Sequence, residues 1–214
     1  MQRLLDKGLE ELTTMVYKMG KDAEKAVTIS LRGFLEGKDT TNDVHELSEI
    51  LVGTTADVEE KAFSLIAKYQ PVASDLRIIN SYIKVAYDFE RYGRYAWDIS
   101  FISTRFNAKS NCDKWIFEYI NKMAEKTLKM VKISISSLKS LDAELVKKIT
   151  KTEQGVDDMY HEFLGKLVKA VGVSNECTVS STLVVRYLER IGDHATHIME
   201  AVVYIATGEK VTLR

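Results

Sequence analysis

In the second half of the 214-residue chain, four acids fall at one-turn spacing: Glu153 with Asp157, and Glu189 with Asp193. Residues four apart on a helix share a face, so each pair forms a two-carboxylate edge if its segment is helical. If the two edges meet, the like charges raise one another's pKa and destabilise the fold unless a cation neutralises them. An oxygen-rich site built from facing helices suits a hard or borderline divalent cation, or iron. Spacing alone leaves a second reading open, a solvated acidic face with Arg190 as its salt-bridge partner. One turn further along the same faces stand His161 and His197. Imidazole there would shift preference toward iron or zinc, although a surface or core position is the ordinary fate of either ring. His194 lies beside them and points elsewhere.

The elements that must position these acids follow from composition and periodicity. The chain holds 11 glycines and a single proline, whereas average usage would supply roughly ten prolines. So little turn punctuation disfavours many-stranded sandwiches and barrels. Leu4, Leu5, Leu9, Leu12, Met15, Val16, Met19, Ala23, Ala26, Val27, Leu31 and Phe34 recur at three- and four-residue steps, the stripe of one long helix that Gly37-Lys38-Asp39 ends. A second helix is predicted from about Asn42 to just before Pro71, and a third from about Ser74 to Phe106. The polar stretch Asn107 to Asn111 has no periodicity and reads as a linker. Beyond it come predicted helices from about Lys114 to Ser140, Asp142 to Ala170, and past a Gly172 to Asn175 turn to Thr207.

Three helices, a linker and three helices make an internal repeat, which also shows in the residues. Met19 to Leu31 matches Met123 to Ile135 at an offset of 104, and Phe89 to Ile99 matches Leu188 to Ile198 at an offset of 99. Helices of this length joined by short connections must run antiparallel to their neighbours. The expected architecture is all-α, with one three-helix bundle over residues 1–108 and a second over 109–214. Gly93 and Gly192 recur inside helical stretches, which suggests close helix contact or room beside a site.

The second-half segment LERIGDHA (188–195), the segment QPVASDLR (70–77) and the tandem pattern together closely resemble the PhoU family, cytosolic regulators of bacterial and archaeal phosphate uptake. The resemblance spans nearly the whole chain. It implies two bundles related by pseudo-twofold symmetry, with a multinuclear metal site on acidic motifs in each repeat. It also implies association with the cytoplasmic components of a phosphate ABC transporter and with a sensor histidine kinase, and a homodimer is expected. Carried over by position, the second-repeat metal ligands are Glu153, Asp157, Glu189 and Asp193, with His161 and His197 as further candidates. The metal would be iron, zinc, manganese or magnesium. In the first repeat the pattern fails, because Thr55 stands in the place of Glu153, Glu59 in that of Asp157 and Arg94 in that of Asp193. Glu90 is the clearest retained acid, and with Glu59 it is the remaining candidate there. A guanidinium cannot lose its proton to become a ligand. The expectation is therefore a metal-free face on which Arg94 pairs with Glu90, Glu59 or Asp98.

Other features narrow the function. With 30 basic and 31 acidic residues the formal net charge is -1, and no basic patch interleaved with aromatics marks a nucleic-acid groove. No apolar run approaches the length of a membrane span, and the N-terminus lacks signal-peptide character. A cytoplasmic location is expected, peripheral to the inner face of the membrane through protein partners. Cys112 and Cys177 lie far apart without metal spacing and read as reduced thiols. In the segment 70–77, Pro71 presets the chain for the third helix, and Ser74 or Asp75 is expected to cap it rather than leave its amides to an anion. Tyr92, Tyr95 and Trp97 read as core at their helical spacing, with a docking face as the alternative.

No nucleophile-base pair, P-loop or glycine-rich phosphate cradle is present, so a non-enzymatic regulator with no catalytic residues is expected. The competing enzyme reading is a ferritin-like di-metal protein, which needs Glu-x-x-His on two helices. The chain contains no Glu-x-x-His. A regulator of a different transporter is the other alternative.

Overall fold

The computed structural model describes residues 4–106, 112–142 and 145–213. Among them six helices follow one another: α1 (Leu4–Glu36), α2 (Thr41–Tyr69), α3 (Ala73–Arg105), α4 (Lys114–Ser140), α5 (Val146–Lys169) and α6 (Asn175–Thr207). Burial of an apolar stripe makes each helix; in α1 the stripe runs from Leu5 through Leu12, Val16, Met19, Ala23, Val27 and Leu31 to Phe34. The 33-residue helices α1, α3 and α6 are each about 50 Å long.

Their ends have local causes. Gln70 adopts a left-handed conformation and donates its N–H to the Ile66 carbonyl, after which Pro71 has no N–H with which to extend the helix. Gly208, at φ 81°, closes α6 on the Tyr204 carbonyl. The Ser174 hydroxyl caps the start of α6 by accepting from the Cys177 N–H at 3.1 Å. Neither Ser74 nor Asp75 takes the cap position expected of it. α3 begins at Ala73, so both residues fall inside the first turn and extended Val72 occupies the cap position without a side-chain acceptor. α4 ends on left-handed Leu141, and α5 starts at Val146 rather than at the Asp142 its periodicity predicts.

Within each repeat all three helices pack on one another, and α3 packs on α6 and α1 on α4 between repeats. These four helices form a central seam, while α2 and α5 flank it and touch only their own repeat. Tyr92 is wholly buried and Tyr95 nearly so, which places both in the core at the seam. Trp97 is half-buried, its ring edge-on to His45 and beneath the Arg94 guanidinium. The proposed linker and the boundary at 108/109 lie outside the described residues.

Cys112 and Cys177 are disulfide-bonded rather than separate reduced thiols, with their Cα atoms 5.3 Å apart. The cause is topological. α4 and α6 run in the same direction with α5 returning between them, so residues 65 apart in sequence meet at one end of the second bundle.

Candidate metal site

Among the described residues no three of the four acids of the second-repeat face bring ligand oxygens within 4.8 Å of one another. α5 nevertheless packs on α6, and Asp157 of α5 lies near enough to Glu189 of α6 for its charge to act there. Glu189 shows this most directly. Its carboxyl pKa is raised above 4.5, first by burial, then by the charge of Asp193 and further by that of Asp157; the Arg186 and Arg190 guanidinium groups offset part of this. Arg186 holds one carboxylate oxygen at 2.7 Å. The other, Oε2, is buried with no hydrogen-bond partner among the described residues. A buried anionic oxygen left in that condition is costly, and a cation is the group that would satisfy it. Glu153 and Asp157 are half-buried on α5. His161 Nε2 lies 3.7 Å from Asp157 Oδ1 with its side chain 70% exposed, so it stands at the rim of this face. Arg190, the salt-bridge partner of the alternative reading, acts on Glu189 through its charge and donates to the Tyr95 hydroxyl at 2.6 Å across the seam.

The equivalent first-repeat face is built differently. Thr55 turns its hydroxyl to the Leu51 carbonyl of its own helix. Arg94 lies 3.7 Å from Asp98 and stacks over Trp97, which is the ion pair the sequence predicts for a metal-free face. Glu90 shares a cleft with Arg91, Arg94, Asp98 and Arg190. With Glu49 also in the lining, three arginines face three carboxylates and the cleft is balanced in charge. Glu59 opens onto a separate cleft that also holds His197. The structure therefore does not join Glu59 and Glu90 in one acidic group.

A family model of the PhoU domain matches the chain twice, over residues 16–102 and 120–202. The chain belongs to the PhoU family. It is 29% identical to the phosphate-specific transport system accessory protein PhoU homolog of Clostridium acetobutylicum, over 99% of this chain and 98% of that protein. It is 31% identical to the Rhizobium meliloti homolog, over 95% of this chain and 87% of that one. The crystal structure of PhoU from Pseudomonas aeruginosa superposes with a TM-score of 0.88 at 25% identity, covering 95% of this chain and 99% of that one. The phosphate transport system regulatory protein PhoU from Streptococcus pneumoniae has the same fold, with a TM-score of 0.89 at 19% identity over 97% and 99% of the two chains.

At the seam between the two PhoU repeats the structure assembles a group that sequence spacing misses. His194 Nδ1 is 2.7 Å from Asp88 Oδ1, and His197 Nδ1 is 3.6 Å from the same oxygen. Asp88 and His194 are only 5% and 6% exposed. His197, placed by spacing with Asp193, thus faces α3 of the other repeat. The partner lies 106 residues away, beyond any periodic pattern. One signal for it was present: Asp88 interrupts the buried stripe of Val85, Phe89 and Tyr92, and an acid in such a stripe requires a polar partner.

Proposed function

We propose that this PhoU protein is a non-enzymatic regulator of phosphate uptake and phosphate-responsive signalling. It acts as an adaptor to the cytoplasmic components of a phosphate ABC transporter and to a sensor histidine kinase. The match of both repeats to the PhoU domain carries this reading, and the accessory and regulatory names of its relatives support it. Disrupting the gene in its host should raise phosphate uptake and derepress phosphate-responsive genes under phosphate-replete conditions. Unchanged uptake and expression would overturn the reading.

The proposal includes a metal site in the second repeat, held by Glu153, Asp157, Glu189 and Asp193, with His161 at its rim. The donor set is oxygen-rich and already strained by mutual repulsion at Glu189, which fits iron, manganese, magnesium or zinc. A bound ion would supply positive charge that neutralises the face and leaves coordination positions for a partner's carboxylate or phosphate. The protein's own part is to hold the acids on two packed helices and to keep Glu189 Oε2 away from water. Elemental analysis with anomalous scattering tests this assignment. Metal between α5 and α6 is expected, and metal centred instead near Glu90 and Glu59 would sink it.

A further inference from the structure

We propose that Asp88, His194 and His197 form a second, chemically distinct divalent-metal site, of the zinc class, at the seam between the repeats. Three observations meet there. The first is composition: two imidazoles and one carboxylate offer ligand atoms all within 4.8 Å of one another, the mixed nitrogen and oxygen set of a zinc site with three protein ligands. The second is spacing. Tetrahedral bonds of about 2.0–2.1 Å place neighbouring ligand atoms about 3.3 Å apart, and the observed separations from Asp88 Oδ1, 2.7 and 3.6 Å, bracket that value. The third is access, because Asp88 and His197 line a cleft of about 590 Å³.

The surroundings fit a cation that is held on one side and open on the other. His194 is buried and its ring lies between Tyr87 and Tyr95, at centroid distances of 6.3 and 5.7 Å, which limits its orientation. In the metal-free protein its Nδ1–H donates to the Asp88 carboxylate, and an ion would replace that proton, so binding releases it. The fourth coordination position faces the cleft, whose other charged groups are Glu59, Glu200, Lys84 and Lys210. These two acids and two lysines balance, so the cleft itself neither repels nor traps a cation and the three ligands decide binding. Glu200 also accepts the Leu213 N–H at 2.9 Å, which holds the segment 210–212 along the cleft wall. Because Asp88 belongs to α3 and both histidines to α6, an ion there would tie one repeat to the other.

The test uses the full-length chain carrying Glu153→Gln, Asp157→Asn, Glu189→Gln and Asp193→Asn, which removes all four carboxylates of the acidic face, stripped of metal and titrated with Zn²⁺ and Co²⁺. This background should still bind one ion, with the visible cobalt spectrum of imidazole ligation and a raised Tm. Adding His197→Ala, at the partly exposed ligand, or Asp88→Asn, which preserves shape, should weaken binding by more than about 100-fold, since loss of even a supporting partner of a ligand costs about 10- to 100-fold. The Tm shift should vanish with it, while circular dichroism shows the helices intact. The inference is overturned if the background binds no zinc, or if His197→Ala and Asp88→Asn leave affinity and cobalt spectrum unchanged. Neither result bears on the acidic face, which protein carrying Asp88→Asn and His197→Ala with the four acids intact reports separately.

Discussion

The two repeats share one scaffold and differ in what they do with its equivalent face. In the second, α5 and α6 present Glu153, Asp157, Glu189 and Asp193; in the first, α2 and α3 present Thr55, Glu59, Glu90 and Arg94. The apolar seam tolerates this difference because α2 and α5, which each supply two of the four positions, pack only within their own repeat. The charge of a helical face can therefore fall from four acids to two acids and an arginine without altering the fold, and a single residue matters most. Where Asp193 adds to the repulsion on Glu189, Arg94 forms an ion pair with Asp98, and a self-repelling face becomes a self-neutralised one.

The largest test of this comparison concerns the covalent tie that only the second repeat carries. Closing a 65-residue separation is worth about 2–4 kcal/mol. Reduction or Cys177→Ser should therefore lower amide-exchange protection in α4, α5 and α6 by about that amount while leaving α1 to α3 nearly unchanged. Equal loss in both repeats would show that they unfold as one unit.

Next in size is metal affinity at the acidic face. Asp157→Asn with Asp193→Asn should weaken metal binding there by about 100-fold, or about 2.7 kcal/mol, by titration calorimetry. Glu59→Gln with Glu90→Gln should leave that binding unaltered. If the first-repeat pair mattered as much, the asymmetry would be wrong.

The paired glycines sharpen the contrast on a smaller scale. A Cβ at Gly93 would sit 2.4 Å from Leu51 Cδ1, whereas at Gly192 the nearest atom is Met130 Sδ at 3.5 Å. Gly93→Ala should destabilise, because overpacking of about 1–3 kcal/mol outweighs the helix propensity regained. Gly192→Ala should stabilise by up to about 1 kcal/mol. Urea denaturation of both variants reads the two signs.

The smallest effect is electrostatic. The fold raises the Glu189 pKa, so it favours the protonated acid, and stability from this group is lost as pH rises above about 4.5. Glu189→Gln should accordingly raise the Tm of metal-free protein near neutrality, by up to about 0.5 kcal/mol of stability, and the gain should disappear in acid. A constant gain at every pH would assign it to packing instead.

Much of the fold could be read from the sequence, because long apolar stripes and scarce turn residues leave few alternatives to six helices. α4 begins and ends where its periodicity predicts. The misses came where a local cue depends on a small shift or on distant packing. Ser74 and Asp75 look like caps until α3 starts one residue earlier. The Cys112–Cys177 bond requires knowing that α4 and α6 are parallel neighbours. The hydrogen bond of Arg190 to the Tyr95 hydroxyl likewise depends on the meeting of α3 with α6. The acidic face was legible as spacing, whereas Asp88 with His194 and His197 emerged only once α3 lay against α6.

The substitution of Arg94 for an acid has a further consequence for assembly. A body with true twofold symmetry offers a partner two equivalent ways to grip it, and neither is preferred. Here the backbone retains that near-equivalence while one flank carries four acids and the other sets Arg91, Arg94 and Arg190 against Glu49, Glu90 and Asp98. A partner that responds to charge therefore meets two unequal flanks, one acidic and one balanced.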